Sequence, residues 1–130
     1  MSERRQLDIR GPDGIQTVGA TIATEPPWSL KLDFPDGHVE QAQGPDLFEA
    51  LQAVRRGLED AGMQLCCQGC RPDVAPSGMS RQMGGGRRAY RHRRGRPATL
   101  DDLVDIFDTA DCADVVTVAQ HRQAMERMYD

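Results

Sequence analysis

Long hydrophobic runs are missing from this sequence. No apolar stretch approaches the roughly 20 residues of a transmembrane helix, and residues 1–5 lead into no apolar signal-peptide core. These absences argue against the membrane classes and lead us to expect a cytoplasmic protein. With 130 residues, of which 38% are hydrophobic, the chain suits a single globular domain over 1–130 with one core.

Lysine is almost absent as well. Arginine supplies 15 of the 16 basic residues and Lys31 the other, which favours a GC-rich, bacterial genome as the source. The net charge of −4 conceals an uneven distribution, because one window of 16 residues without Asp or Glu carries +7 and the rest of the chain −11. The arginines of this window are Arg81, Arg87, Arg88, Arg91, Arg93, Arg94 and Arg96. The aspartates that follow it are Asp101, Asp102, Asp105, Asp108, Asp111 and Asp114. The sequence leaves open whether these aspartates neutralise the arginines internally.

Complete catalytic and cofactor motifs are also missing. Ser77 and Ser80 lack the G-x-S-x-G context of a hydrolase nucleophile, and no G-x-x-x-x-G-K-[ST] phosphate loop is present. The aspartate run fails as a calcium loop, because Ile106 stands where a glycine is required and no terminal Glu follows. We therefore expect no catalytic residue and no cofactor, and the sequence favours a non-enzymatic protein.

The first 43 residues have the pattern of two β-hairpins. Turn signals of Pro, Asp and Gly occupy 11–14 and 34–37. Strict alternation of apolar and polar residues over 28–34 predicts a strand with one buried face. The predicted strands are 6–10, 15–24, 28–34 and 38–43, with Pro26-Pro27 at the corner between the hairpins.

The spacing of the apolar residues then changes from a period of two to a period of 3.6, which predicts a helix over 45–61. Pro45 suits its first helical position, and Gly62 suits the residue past its last turn. Its buried stripe contains Leu47, Leu51, Val54 and Leu58, while Glu49, Arg55, Arg56, Glu59 and Asp60 are expected to face water.

The remaining elements are less regular. Predicted in order are a strand over 63–68, a mobile Gly/Arg-rich segment over about 75–97, a strand over 103–107 and a helix from Thr117 to the C-terminus. Thr117 and Gln120 form a capping-box pattern, and residues 115–118 fit either a strand or a helix. Together these elements predict an α+β fold, in which an antiparallel sheet is built from two N-terminal hairpins plus later strands and two helices pack on one face.

The cysteines are the least generic feature of the chain. Cys67 and Cys70 form a C-x-x-C that offers two zinc ligands, and a structural zinc site needs four. The other ligands would have to come from Cys66, Cys112, His92 or His121. A zinc site with Cys66, Cys67, Cys70 and Cys112 as candidate ligands is therefore one alternative.

Redox chemistry is a second alternative for the cysteines. A thioredoxin-like site needs a helix after its C-x-x-C, whereas the residues that follow Cys70 predict a loop. Cytosolic thiols normally remain reduced, which also argues against a disulfide. We favour a structural role, in which a strand through Cys66 and Cys67 sends one side chain into the core and the other outward.

The Gly/Arg-rich segment is the predicted binding surface. It combines a flexible backbone with dense guanidinium groups and one aromatic ring, a combination that binds carboxylates, phosphates or stacked bases. The candidate contact residues are Arg81, Arg87, Arg88, Tyr90, Arg91, Arg93 and Arg94. An acidic protein is the expected partner, because the net charge repels a polyanion beyond a Debye length of ~8 Å. Nucleic-acid binding through 81–96 is the alternative, and the oligomeric state stays open.

Four segments carry a resemblance to other proteins. They are LCCQGCRPDV (65–74), SGMSRQMG (77–84), VDIFD (104–108) and TVAQ (117–120). Through them the chain resembles, over about residues 63–128, a group of small uncharacterised bacterial single-domain proteins. In size and acidity such proteins are similar to immunity proteins, which neutralise bacterial toxins. The resemblance implies a protein-binding function of the toxin-neutralising type and no catalytic residues.

Overall fold

A computed structural model describes residues 1–128. Within them the chain forms eight strands and three α-helices, so the predicted α+β class is confirmed. The strands are β1 (Ser2–Gly11), β2 (Gly14–Ala23), β3 (Trp28–Asp33), β4 (Val39–Gly44), β5 (Gln64–Leu65), β6 (Val74–Ala75), β7 (Arg88–Arg91) and β8 (Leu103–Asp105). The helices are α1 (Leu47–Asp60), α2 (Gly78–Met83) and α3 (Val118–Met128). The strands build two antiparallel sheets, one in the order β4-β3-β2-β1-β5 and one in the order β6-β7-β8.

Both predicted hairpins are present in the five-stranded sheet. Strands β1 and β2 pair from Ser2 opposite Ala23 to Gly11 opposite Gly14, so β1 begins four residues before the predicted position. Strands β3 and β4 pair around the second turn, and the Pro26-Pro27 corner that precedes β3 contains a cis peptide bond. The alternation in β3 has its expected effect, because Leu30 and Leu32 are fully buried and Lys31 between them is exposed.

Helix α1 packs its apolar stripe on the inner face of this sheet. Leu47, Leu51, Val54 and Leu58 are at most 2% exposed and share the core with residues of β1, β2 and β3. The start of the helix differs from the prediction. Asp46 is the N-cap and accepts a hydrogen bond from the Glu49 backbone N–H at 2.8 Å, so Pro45 lies before the helix rather than in its first turn.

Other predictions for the second half need correction. The strand predicted over 63–68 is limited to β5, because Gln68–Cys70 forms a 3₁₀ turn that takes the chain out of the sheet. The segment expected to be mobile, about 75–97, contains α2 and β7, and the strand predicted over 103–107 ends at Asp105.

The C-terminal helix begins as predicted. Thr117 Oγ1 accepts from the Gln120 backbone N–H at 3.1 Å, and Gln120 Oε1 accepts from the Thr117 backbone N–H at 2.9 Å, which confirms the capping box. Of the segment 115–118, for which strand and helix were open, only Val118 is helical. The predicted continuation to 129–130 lies outside the described residues. The longest described helix, α1, has 14 residues, and none in 1–128 has the length and apolar character needed to cross a membrane.

Candidate functional site

Arg81, at the end of α2, is held against the start of α1. Its Nη1 lies 3.1 Å from both Asp46 Oδ2 and Glu49 Oε2, and its guanidinium carbon lies 5.0 Å from the centre of the Phe48 ring. Asp46 is only 5% exposed. This arginine is therefore part of the connection between α1 and the 78–86 segment.

Arg87 connects the two sheets. Its side chain is 2.9 Å from Glu3 Oε2 on β1 and 3.1 Å from Asp105 Oδ2 on β8. The hydrogen bond from Arg87, with its positive charge, lowers the pKa of Glu3. The guanidinium also lies over the Phe107 ring, at 5.4 Å from its centre. Arg87 thus has a complete set of internal contacts.

Arg91 is also directed toward an internal carboxylate. Its Nε lies 3.7 Å from Asp73 Oδ2, which accepts a closer hydrogen bond from Arg71. Although burial opposes the charged form, the hydrogen bond and the charge of Arg71 lower the pKa of Asp73.

Among the described residues, Asp105 is the one member of the aspartate run that forms an ion pair with an arginine of the window. Internal neutralisation is therefore partial.

Of the other candidate arginines, Arg88 lies on β7, and Arg93 and Arg94 lie on the connection between β7 and β8. Residues 93–96 form a tight turn closed by a bridge between Arg93 and Arg96, with Gly95 at φ +77°. Arg88, Arg93, Arg94 and Arg96 are exposed, and none forms an ion pair with a described residue. We call Arg93, Arg94 and Arg96 the arginine turn.

The charge of the arginine turn acts on the neighbouring loop. Asp102 accepts a hydrogen bond from the Thr99 backbone N–H, and this bond together with the charges of Arg93 and Arg96 lowers the pKa of Asp102. Tyr90 precedes the turn on β7, is half-buried and is paired with Ala75 of β6. The turn is thus carried by a strand that has partners on both sides.

The cysteines do not follow the predicted alternation. Cys66 and Cys112 form a disulfide, although we expected reduced thiols, and Cys67 and Cys70 are free with their sulfur atoms 3.5 Å apart. Cys66, Cys67 and Cys70 are all buried, because the strand ends at Leu65 and the 3₁₀ turn directs the next side chains into the core. The described residues contain no group of three or more Cys, His, Asp or Glu side chains that could hold a metal ion.

The two free thiols differ electrostatically. The hydrogen bond to Cys70, added to burial, raises the pKa of the Cys67 thiol. Burial also opposes ionisation of Cys70, but the hydrogen bond from Cys67 and the charge of Arg55 outweigh it and lower the pKa of Cys70. Because both sulfurs are shielded from water, these thiols are not placed to attack an external substrate.

A buried polar cluster between α1 and α3 was missed in the sequence. Arg55, expected to face water, is 3% exposed, and His121 is 2% exposed. Arg55 Nη1 donates to Gln52 Oε1 at 2.6 Å and to His121 Nδ1 at 2.9 Å, and Nη2 donates to the Val116 carbonyl at 2.7 Å. The contacts with 116 and 121 join positions more than 60 apart in sequence, so no local pattern signals them.

His121 is held neutral within this cluster. Nδ1 accepts from Arg55, which leaves the proton on Nε2, where it is donated to the Val74 carbonyl at 2.6 Å. Burial and the charge of Arg55 lower the pKa of His121 to about 4. Both ring nitrogens are therefore engaged, and neither is available as a general base.

The polar contacts described above hold the fold together and leave several cationic side chains exposed. The buried thiols and His121 are turned inward, whereas the arginine turn is directed toward solvent. No protein-family model matches the chain, and no curated protein matches it. Function is therefore inferred from the arrangement of these side chains.

Proposed function

We propose that this is a non-enzymatic protein-binding module that recognises an acidic surface on another protein. The observation that carries the proposal is the arginine turn, which presents three exposed arginines without ion pairs to described residues on one tight turn. Arg88 and Tyr90 on β7 extend the surface, whereas Arg81, Arg87 and Arg91 of the original candidates position the scaffold.

The chemistry of arginine suits this task. A guanidinium binds a carboxylate through two parallel hydrogen bonds, and loops positioned by a rigid scaffold commonly carry binding residues. Strand β7 is paired with β6 on one side and β8 on the other, so the connection that holds the turn is fixed at both ends. Clustered positive charge also accelerates the encounter with an acidic surface.

The charge distribution favours a compact acidic protein patch over nucleic acid. The chain outside the arginine window carries a net charge of −11. A long polyanion that follows the arginine turn would continue onto this acidic remainder, and repulsion there would reduce its affinity. An acidic patch matched in size to the turn avoids that repulsion.

The toxin-neutralising type is the specific form of the proposal. Immunity proteins, which neutralise bacterial toxins, are similar in size and acidity to this chain. A cytoplasmic location in a bacterium belongs to the same proposal, since the toxin would be neutralised where it acts.

The experiment is affinity capture from the native cytoplasm with three tagged proteins, each treated with nuclease. They are the natural sequence, the double variant Arg93→Glu/Arg94→Glu, and the matched control Arg4→Glu/Arg127→Glu. Arg4 and Arg127 are also exposed and form no ion pair with a described residue, so both variants change the charge equally. We expect one stoichiometric protein with the natural sequence and the control, and its loss with Arg93→Glu/Arg94→Glu.

The free energy of unfolding serves as the folding control. It should change by less than about 1 kcal/mol in the Arg93→Glu/Arg94→Glu variant, because the two side chains are exposed, form no ion pair with a described residue, and Arg93 acts on Asp102 only through its charge. Equal recovery of the same protein by all three would contradict the proposal. Recovery of nucleic acid instead, with an affinity that falls roughly 100-fold between 50 and 200 mM salt for four phosphate contacts, would favour the alternative.

A further inference from the structure

A groove of about 270 Å³ lies between α1 and α3, beside β6. Its apolar walls are formed by Phe48, Val118 and Met125, and its basic groups are Arg56, Arg81 and Arg122. Sites for small molecules are concave, mostly apolar and supplied with a few placed polar groups, and they begin at about 300 Å³. The groove is slightly smaller than that range and more polar, so it suits a small ligand that carries a charge.

The charge in the groove is not balanced. Arg56 comes from α1 and Arg122 from α3, both are exposed, and neither forms an ion pair with a described residue. Glu49 is the one carboxylate in the lining, and it is held by Arg81 at 3.1 Å. Two arginines from different helices thus line one groove, and neither has an ion-pair partner among the described residues.

The buried floor of the groove adds a hydrogen-bond donor. Gln52 is 9% exposed and lines the groove, and its Oε1 accepts from Arg55 Nη1 at 2.6 Å. The amide nitrogen of Gln52 has no hydrogen-bond partner among the described residues. Because Arg55 fixes the amide oxygen, the remaining N–H groups are oriented donors.

The other floor residue contributes no charge. His121 also lines the groove, but both of its ring nitrogens are engaged and its pKa of about 4 keeps it neutral at physiological pH. The arginines are therefore the groups in the lining that could bind a negatively charged ligand.

We propose that this groove binds a small organic carboxylate with an apolar body. The carboxylate would be bound by Arg56 and Arg122 with help from the Gln52 amide, and the apolar body would lie against Phe48, Val118 and Met125. A guanidinium binds a carboxylate through charge-assisted hydrogen bonds, and the apolar residues of the groove would remove water from the body of the ligand. The proposal is independent of the protein-binding function, since no residue of the arginine turn lines the groove.

The test uses 3-phenylpropanoate as the probe in a ¹⁵N–¹H NMR titration of the whole protein. Two matched compounds accompany it: 3-phenylpropan-1-ol has the same apolar body without the charge, and propanoate has the charge without the ring. We expect saturable shifts of the amides of α1 and α3 that line the groove with 3-phenylpropanoate, and at least tenfold weaker binding of either comparison compound.

Two variants separate the groove from the rest of the surface. Arg56→Gln/Arg122→Gln should weaken binding of 3-phenylpropanoate at least tenfold and leave binding of the alcohol unchanged, whereas Arg4→Gln/Arg127→Gln should change neither. Unchanged folding is checked from the dispersion of the same spectra.

Three results would overturn the carboxylate site. They are the absence of saturable shifts, equal affinity for the acid and the alcohol, and shifts centred on the arginine turn. The capture experiment with Arg56→Gln/Arg122→Gln should still recover the protein partner, so failure of this site and failure of the protein-binding function are distinguishable.

Discussion

Arg55 and His121 are adjacent buried groups of which only one is charged. Arginine stays protonated in proteins, and Arg55 satisfies its donors with the oxygens of Gln52, Gly69 and Val116 and with Nδ1 of His121. Protonation of Nδ1 would place two cations 2.9 Å apart and remove the acceptor. The arrangement therefore keeps the folded His121 ring neutral until the pH falls to about 4.

The first prediction at this scale is a loss of stability in mild acid that depends on His121. Its pKa falls from an ordinary 6.5 to about 4 on folding. Above pH 6.5 the histidine is neutral in both the folded and the unfolded protein. Between pH 6.5 and pH 4 the histidine of the unfolded protein binds a proton, whereas that of the folded protein stays neutral. The free energy of unfolding should decrease by about 2 kcal/mol between pH 7 and pH 5.

Urea unfolding at the two pH values measures this change. His121→Gln should remove most of the difference between pH 7 and pH 5, whatever its effect on stability at pH 7. His38→Gln is the matched control, because the His38 side chain is half exposed and its variant should keep the full difference. An equal pH dependence in the natural protein and His121→Gln would show that another group is responsible.

At the scale of elements, the turn after α2 contains a glycine at a position where any side chain would be strained. Gly85 has φ +65°, and a Cβ added there would lie 2.5 Å from the Trp28 ring. Its carbonyl accepts from the Leu47 backbone N–H at 2.6 Å, at the start of α1. The turn therefore lies against the Trp28 ring of β3 and is joined to the start of α1 by a backbone hydrogen bond.

Gly85→Ala should therefore lower the free energy of unfolding more than an alanine substitution at another glycine with positive φ. Gly95 has φ +77° and nothing within 4 Å of the added Cβ, so Gly95→Ala bears only the backbone cost of about 1 kcal/mol. Gly85→Ala adds the clash with Trp28, and we expect a total loss of about 3 kcal/mol. Thermal or urea unfolding of both variants decides the comparison, and equal losses would mean that the Trp28 contact is absent in solution.

The elements also differ in how far the sequence predicted them. Both hairpins and α1 were predicted because turn residues and apolar spacing act within a few positions. The strand at β5 was predicted too long, and β6 and α2 were not predicted, since two to six residues carry too little periodicity and depend on distant contacts. Arg55 was predicted to be exposed because the residues that bury it, 116–121, are distant in sequence.

The candidate site was predicted in part. Composition alone singled out the arginine window, and it contains the turn at 93–96. Local sequence could not distinguish the exposed arginines Arg88, Arg93 and Arg94 from the arginines that form ion pairs. The carboxylates that pair with Arg81, Arg87 and Arg91 come from other elements of the fold. The groove combines residues of α1, α2, β6 and α3, and its convergence is a property of the fold.

At the scale of the whole molecule, the two sheets are joined by a covalent bond and by ion pairs. The disulfide Cys66–Cys112 links the end of β5 to the segment after β8 and closes a loop with a sequence separation of 46. Arg87 connects β1 to β8, and Arg10 Nη1 on β1 donates to the Cys112 carbonyl at 2.7 Å. The three-stranded sheet and α2 lie inside this closed loop, so their association with the larger sheet depends on it.

Opening the disulfide should therefore destabilise the molecule substantially. Closure of a loop of this length restricts the unfolded chain enough to contribute about 4 kcal/mol, so Cys66→Ser/Cys112→Ser should lower the free energy of unfolding by about that amount. Urea unfolding of the natural protein with and without reductant should show the same loss, and the double variant should not respond to reductant. If reductant leaves the natural protein unchanged, the bond does not form in solution, and the sheets are held together by the hydrophobic core they share and by the contacts of Arg87 and Arg10. Because the cytoplasm keeps thiols reduced, the stability that remains without the bond also decides whether the proposed cytoplasmic function is possible.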